Sequence, residues 1–517
     1  MLQIRNLTIT YKKDLRELIS GFSLTVNQGD RIALIGEEGN GKSTLLRWIA
    51  DPSLISDYAD AQGIRTVQNE KTGYLSQELE ESDRTKSVYE YFCEEPFFAE
   101  KDPKELNRLA VKLHMDPGMY YSMQKMETLS GGEKIKVRMA RILIAEPTVL
   151  LLDEPSNDLD LAMLEWLEEM IVNAPQAVVF VSHDETLIRA AANRIIHLEL
   201  LNRKTAARHT VVSAGYDEYL ERRDDLFERQ MQKAMSERRE DAMRMERFRR
   251  IQQQVDHELN NISRQDPHGG RLLKKKMHSV KSMGKRFERE RENMTDIPEQ
   301  EEAILFFFSD ESAVSSGKKI LDLSLEQLSA GDRLLAENIH LQVNGPEKIC
   351  ITGANGCGKS TFLKEIFEML KNRNDIRCAY MPQDYTDLLE LDLTPVQYLA
   401  PDGDRETVTR VRNLLGSMRY TTDEMEHAIR DLSGGQKAKI FFLKMNLEHA
   451  DVLILDEPTR NFSPLSQPVI RSVLKDFPGC IISVSHDRSY IEEVPDKIYL
   501  LRKDGLHRID TYGKVSV

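Results

Sequence analysis

Short and almost unbroken apolar runs recur along the chain, each followed by polar or glycine-rich residues. "RIALI" (Arg31 to Ile35) and "KICIT" (Lys348 to Thr352) read as strands. "TVLLLD" and "DVLILD", which end at Asp153 and Asp456, read the same way, as do "AVVFVS" and "CIISVS" before His183 and His486. Between them come helix-like patterns, such as "TLLRWIA" after Ser43 and "TFLKEIFEML" after Ser360. Strand alternating with helix predicts an α/β protein.

The middle of the chain follows another pattern. After "AGYDEYL" (Ala214 to Leu220) it becomes highly charged, with Met231, Met235, Ala242, Met245, Val255, Leu259 and Ile262 recurring at threes and fours. Leu273, Met277, Val280, Met283 and Phe287 continue that spacing. Asp266-Pro267-His268-Gly269-Gly270 lies between the two series and reads as a helix breaker. The pattern predicts two antiparallel helices closing at a tip near residues 264–271, each about 60 Å long if it runs to forty residues. The domains expected are therefore 1–220, a helical-hairpin linker over 221–300, and 301–517.

Two glycine loops fit G-x-x-x-x-G-K-S. The first is Gly36-Glu37-Glu38-Gly39-Asn40-Gly41-Lys42-Ser43, then Thr44; the second is Gly353-Ala354-Asn355-Gly356-Cys357-Gly358-Lys359-Ser360, then Thr361. Each sits between a strand and a helix, the context this phosphate loop requires. Small residues let backbone N–H groups wrap the phosphates, and the helix N-terminus adds partial positive charge. Lys42 or Lys359 then reaches the β- and γ-phosphates, while Ser43 or Ser360 ligates Mg²⁺.

Further motifs repeat. Leu129-Ser130-Gly131-Gly132-Glu133 is answered by Leu432-Ser433-Gly434-Gly435-Gln436, Asp153-Glu154 by Asp456-Glu457, and Ser182-His183-Asp184 by Ser485-His486-Asp487. The offset is 303 residues throughout this stretch and 317 between the two lysines. The chain is a duplication. One element is rewritten: Asn157-Asp158-Leu159-Asp160 follows the first Asp-Glu-Pro, but Arg460-Asn461-Phe462-Ser463-Pro464 follows the second, without an acid.

This ordered set resembles the ATP-binding cassette pattern. The resemblance implies two P-loop cassette domains that pair head to tail within one monomer, with one ATP between Lys42 and the Ser433 signature and another between Lys359 and Ser130. It implies that the signature helix N-termini (Ser130, Gly131, Gly132; Ser433, Gly434, Gly435) bind the γ-phosphate held by the opposite cassette. Gln77 and Gln383 resemble the glutamine-loop residues that sense Mg²⁺ and the attacking water. Asp153 and Asp456 would hold Mg²⁺ together with Ser43, Ser360, Gln77 and Gln383. Glu154 and Glu457 would orient or deprotonate the water, and His183 and His486 would contact the γ-phosphate. Tyr11 resembles the aromatic under the adenine; the second half offers only Gln327 and Leu328 near that position.

Composition adds three constraints. Five scattered cysteines without a C-x-x-C pair suit a reducing cytosol and argue against a disulfide framework or a zinc site. No apolar run is long enough for a membrane helix, so no membrane insertion is expected. Net charge is −14, yet residues 244–286 hold twelve Lys or Arg against four acids, a local balance of +8. An acidic body with one basic segment predicts a localised polyanion contact. Arg264, Arg271, Lys274, Lys275, Lys276, Lys281, Lys285 and Arg286 surround the tip with few aromatics, which suits backbone phosphates of folded RNA better than base stacking.

Two cassettes joined by a charged helical hairpin resemble the F-type ATP-binding cassette proteins (ABC-F), and "GYDEYL" resembles that family's tyrosine-bearing motif at the linker entrance. The resemblance implies ATP-driven binding to the ribosome, with the linker tip directed to the peptidyl-transferase centre and P-site tRNA, as translation factor or antibiotic-resistance protein. The competing readings are a fused ATPase subunit of a membrane transporter, a DNA clamp of the chromosome-maintenance type and an ATP-gated scaffold without turnover. Transporter subunits join their cassettes by plain linkers, the DNA clamp interrupts one cassette with its coiled coil, and Glu154 and Glu457 argue against the inert scaffold.

Overall fold

The computed structural model describes residues 2–67, 70–157, 159–201, 205–261, 267–292, 294–298, 308, 312–331, 333–385 and 388–509, without the side chains of 259, 267–270 and 292. The chain divides into two compact units: Met1–Tyr216 with Glu301–Val517, and Asp217–Gln300.

The first unit holds two α/β cassettes. In the first, β1 (Leu2–Tyr11), β2 (Glu17–Val26) and β4 (Ala59–Val67) form an antiparallel sheet in the order β2-β1-β4. The main sheet runs β5-β6-β7-β3-β8-β9, from β3 (Arg31–Ile35), β5 (Thr72–Leu75), β6 (Val149–Asp153), β7 (Ala177–Val181), β8 (Arg194–Leu200) and β9 (Ala206–Val212). Only the β8–β9 pair in it is antiparallel. The second cassette repeats the plan as β13-β14-β15-β12-β16-β17. Its strands are β12 (Lys348–Thr352), β13 (Cys378–Met381), β14 (Val452–Asp456), β15 (Cys480–Val484), β16 (Lys497–Arg502) and β17 (Gly505–Ile509), beside a hairpin of β10 (Lys319–Ala330) and β11 (Arg333–Asn344).

Every residue of β6, β7, β14 and β15 is buried, which explains their unbroken apolar sequences. Their C-terminal ends carry the polar motifs, the usual place for a ligand crevice in such a sheet. Among the described residues all five cysteines are unpaired and no helix is long and apolar enough to cross a membrane.

The second unit is a helical hairpin of Tyr216–Asn261 and Pro267–Glu292. The first helix begins inside the segment read as the end of the first domain, and its 46 residues correspond to about 69 Å. Pro267, His268, Gly269 and Gly270, read as part of a helix breaker, lie in the second helix. Helix resumes at Pro267, because proline suits a first helical turn where its missing N–H is not needed. Arg264 and Asp266 lie outside the described residues.

The helix seam departs from the expected apolar series. Met235, Ala242 and Met283 are exposed. Met231, Ala234, Arg238, Asp241, Met245, Phe248, Gln252 and Val255 alternate threes and fours on the covered face instead. Two of its polar members reach the returning limb of the hairpin: Arg238 donates to the Thr295 carbonyl and Asp241 pairs with Arg291 at 2.7 Å. Phe248 meets the edge of Phe287 at 5.8 Å and packs beside Gly284. Arg271, Lys274, Lys275, Lys276, Lys281, Lys285 and Arg286 are all exposed.

Candidate nucleotide sites between the cassettes

The two phosphate loops are built alike. Gly36 has φ 143° and Gly353 φ 154°, and a Cβ on either would collide with the carbonyl oxygen of Leu198 or Leu501, so only glycine lets the loop close on the sheet. Lys42 Nζ donates to the carbonyls of Gly36 and Glu37 at 2.8 and 3.0 Å; Lys359 Nζ donates to those of Gly353 and Ala354 at 2.9 and 3.0 Å. Asn40 is turned away from the crevice, its amide donating to the Leu198 carbonyl. Gly36, Gly353 and the side-on Cys357 likewise shape the loops without lining a cavity.

One cavity surrounds Lys42. Tyr11, Gly39, Gly41, Ser43, Thr44, Gln77, Glu154 and His183 line it from the first half, and Asp423, His427, Arg460 and Asn461 from the second. The other surrounds Lys359. Asn355, Gly356, Gly358, Ser360, Thr361, Gln383, Asp456, Glu457 and His486 line it, with Gly131 and Asn157 from the first half. Arg333 stands in this cavity as Arg16 does in the other, at the same offset of 317 residues as the two lysines, whereas Gln327 and Leu328 do not line it.

Ser130 and Ser433 each cap their signature helix, and Glu133 or Gln436 closes the capping box. Gly132 packs on Met163 and Gly434 beside Asn461. The second signature meets the first phosphate loop directly: the Gly435 N–H donates to Glu38 Oε2 at 2.8 Å.

The two glutamates expected to act on the water occupy unlike surroundings. Both follow their strands at positive φ, 50° at Glu154 and 52° at Glu457, a strained conformation for glutamate. Glu154 accepts from Gln77 at 2.8 Å and Asn157 at 2.6 Å, and lies 3.3 Å from His183 Nε2. Burial opposes ionisation there, but the hydrogen bond and charge of His183, then Lys42 and Asn157, hold its pKa down at about 2. Glu457 accepts only from Ser485 Oγ at 3.4 Å and the His486 N–H at 3.2 Å, and its Oε1 has no hydrogen-bond partner. Burial and the neighbouring Asp456 charge push it up to about 8, and burial beside Lys359 lowers His486 to about 3. His183 Nδ1 instead reaches across to the Phe462 carbonyl at 2.8 Å.

Both halves offer hard oxygen donors for Mg²⁺. Ser43 Oγ donates to Asp153 Oδ1 at 2.8 Å, and Tyr74 to Oδ2 at 3.1 Å. In the second half Asp456 Oδ2 is buried without a protein hydrogen bond. A hydroxyl beside a carboxylate suits this cation, which takes its remaining ligands from phosphate and water.

A model of the ABC transporter family matches residues 19–157 and 336–460, just over half of the chain. The chain is 28% identical over 98% of its length to the ribosome protection protein VmlR of Bacillus subtilis, of which it covers 88%. It is 26% identical over 97% of its length to ATP-binding cassette sub-family F member 2 of Bos taurus, of which it covers 80%. The chain belongs to the ABC transporter family, in its F-type branch. ABC-F proteins carry P-loop ATPase cassettes, as the tandem sheets here do. Among solved structures, an archaeal ribosome recycling factor, aABCE1, in complex with a ribosomal stalk protein matches 98% of this chain and 90% of its own, with TM-score 0.59 and 16% identity. That likeness shows the fold.

The rewritten segment of this ABC-F chain has a counterpart across the interface. Ser463 Oγ and Ser466 Oγ donate to Glu37 Oε1, the first at 2.6 Å. At the other site the order is exchanged: Asp160 lies on the loop after the strand, and its Oδ2 accepts from the Asn355 N–H at 3.5 Å. The acid absent after Glu457 is supplied by the facing phosphate loop. Adjacent acids inside "GEEGNGKS" were the visible signal, but only the fold shows what Glu37 and Glu38 face.

Proposed function

We propose that this ABC-F protein hydrolyses ATP to ADP and phosphate at two sites shared by its paired cassettes, and acts on the ribosome in its closed, ATP-bound form. The observation that carries this reading is that each cavity holds one half's lysine and the other half's residues, so bound nucleotide and closure are coupled. In each site the loop N–H groups and the lysine would bind the β- and γ-phosphates. Glu154 or Glu457 would orient the attacking water and accept its proton as the bond to the β-phosphate oxygen breaks. His183 or His486 would contact the γ-phosphate. Mg²⁺, held by Ser43 and Asp153 or by Ser360 and Asp456 near Gln77 or Gln383, would neutralise phosphate charge. Tyr11 would stack on the adenine of one nucleotide.

VmlR is named for ribosome protection and aABCE1 for ribosome recycling. The same partner is proposed here, with the exposed basic side chains of the hairpin contacting ribosomal RNA and the tip directed at P-site tRNA. Protection against an antibiotic and a role as translation factor are both compatible with this. A fused transporter subunit would leave the basic hairpin without a purpose.

The test is sedimentation of the full chain carrying Glu154→Gln and Glu457→Gln with ATP and ribosomes. Co-sedimentation and arrested translation are expected, and Lys274→Ala, Lys275→Ala and Lys276→Ala together should weaken binding more steeply as salt rises. ATP-loaded protein remaining free of ribosomes would refute the reading.

A further inference from the structure

Among the described residues, two close ion pairs, each at 3.0 Å or less, cross between the cassettes beyond the nucleotide sites. Arg471 Nη2 lies 2.9 Å from Glu185 Oε2, with both side chains at least 95% buried. Arg488 Nη1 lies 3.0 Å from Glu168 Oε2. The duplication relates Glu168 to Arg471 and Glu185 to Arg488, at the same offset of 303 residues as the catalytic motifs. The two bridges are therefore one contact seen twice around the internal two-fold relation, with the charges exchanged. The first cassette carries acid at both positions and the second carries arginine at both.

Three of these four groups have further neighbours of opposite charge, the Asp487 carboxylate beside Arg471 among them, while the facing residues keep the exchanged order. Glu185 also pairs with Arg189 of its own helix at 2.8 Å, and Arg471 with Glu493 of its own cassette at 2.9 Å. Arg488 has Asp184 of the first cassette at 3.5 Å as a second acid. The exchange also extends to the nucleotide loops, where Glu37 faces Ser463 while Asp160 faces the loop bearing Ala354 and Asn355.

We propose that these exchanged pairs are a pairing code: each cassette is complementary to the other half of this chain and repels its own kind. Two first cassettes would set Glu168 against Glu185 and Glu37 against Asp160. Two second cassettes would set Arg471 against Arg488. Like charges enclosed at an interface reject a wrong partner more strongly than a neutral mismatch does. A symmetric pair of identical cassettes needs self-complementary surfaces, and neither half has one here. The partner selected is the other half, which tethering already holds at high local concentration.

The code is testable in the full chain. Glu168→Arg sets arginine against Arg488, the contact of two second cassettes; Arg488→Glu sets glutamate against Glu168, the contact of two first cassettes. Each single reversal should lower ATP turnover by about tenfold or more and abolish ATP-dependent compaction in small-angle scattering. Compaction is read with Glu154→Gln and Glu457→Gln also present. The double reversal, Glu168→Arg with Arg488→Glu, sets opposite charges against each other again, and should recover turnover to within about threefold. The neutral Glu168→Gln should cost less than about threefold, because it confronts no like charges. Circular dichroism separates misfolded variants, and the neutral variant keeps the comparison open if a reversal fails to fold. Single reversals that behave as wild type, a folded double reversal no better than the singles, or a Gln variant as damaging as the Arg variant would each overturn the code. No readout involves ribosomes, so failure of the ribosome reading leaves this test intact.

Discussion

Replacing Glu37 by alanine removes the acceptor shared by Ser463 and Ser466 across the interface. Both serines are at most 1% exposed, and Lys439, whose charge also acts on Glu37, is buried as well. Hydrogen bonds to a charged group contribute about 1.5–3 kcal/mol each. Two of them lost would give about 3–6 kcal/mol, and water entering the space left by the side chain argues for the lower end, about 3 kcal/mol. That corresponds to roughly a hundredfold shift in the pairing equilibrium. Since closure and ATP binding are coupled in the proposed cycle, the half-saturating ATP concentration for turnover should rise by about tenfold or more. The control is the Ser463→Ala, Ser466→Ala chain. Adding Glu37→Ala there should cost clearly less than it costs the native chain, since the shared bonds are already gone. An unchanged ATP dependence, or the same penalty in both backgrounds, would refute the reasoning.

Other outcomes follow from the same geometry. Although burial opposes it, Lys439 and the two serine hydroxyls hold the pKa of Glu37 below its usual value. Its stabilisation is therefore present above the ordinary carboxylate range and lost on acidification through the lowered pKa, so the melting difference between wild type and Glu37→Gln should be full near pH 6 and shrink below about pH 4. The two proposed sites should turn over unequally: Glu457→Gln, which leaves the hydrogen-bonded Glu154 site, should retain at least about threefold more activity than Glu154→Gln, and equal single-site rates would exclude this. Gly284→Leu should press on Phe248, whose ring lies 3.1 Å from an added Cβ, costing about 1–3 kcal/mol and raising hydrogen exchange in the hairpin but not in the cassette strands.

Much of this architecture was legible because the duplication writes it twice. β3 and β12 coincide with "RIALI" and "KICIT", since a strand buried on both faces must be apolar throughout. The hairpin was legible as helices but not as a seam. Arg238 and Asp241 occupy covered positions, and a polar residue whose partner sits on the opposite limb looks like a solvated one in sequence. The interface was the least legible part. Glu37 and its serine partners are 426 and 429 residues apart, so their pairing follows from how two finished cassettes meet. The same holds for Arg333 beside the second phosphate loop, for the turn of Asn40 onto the sheet, and for the Asn157 bond that helps to ionise Glu154.

The most direct test of the central claim is an electron cryomicroscopy structure of the Glu154→Gln, Glu457→Gln chain, trapped with ATP on ribosomes. The account predicts two nucleotides, one between Lys42 and the Ser433 signature and one between Lys359 and the Ser130 signature, with the hairpin against ribosomal RNA. Nucleotides each held by a single cassette, or a hairpin standing free in solvent, would contradict it.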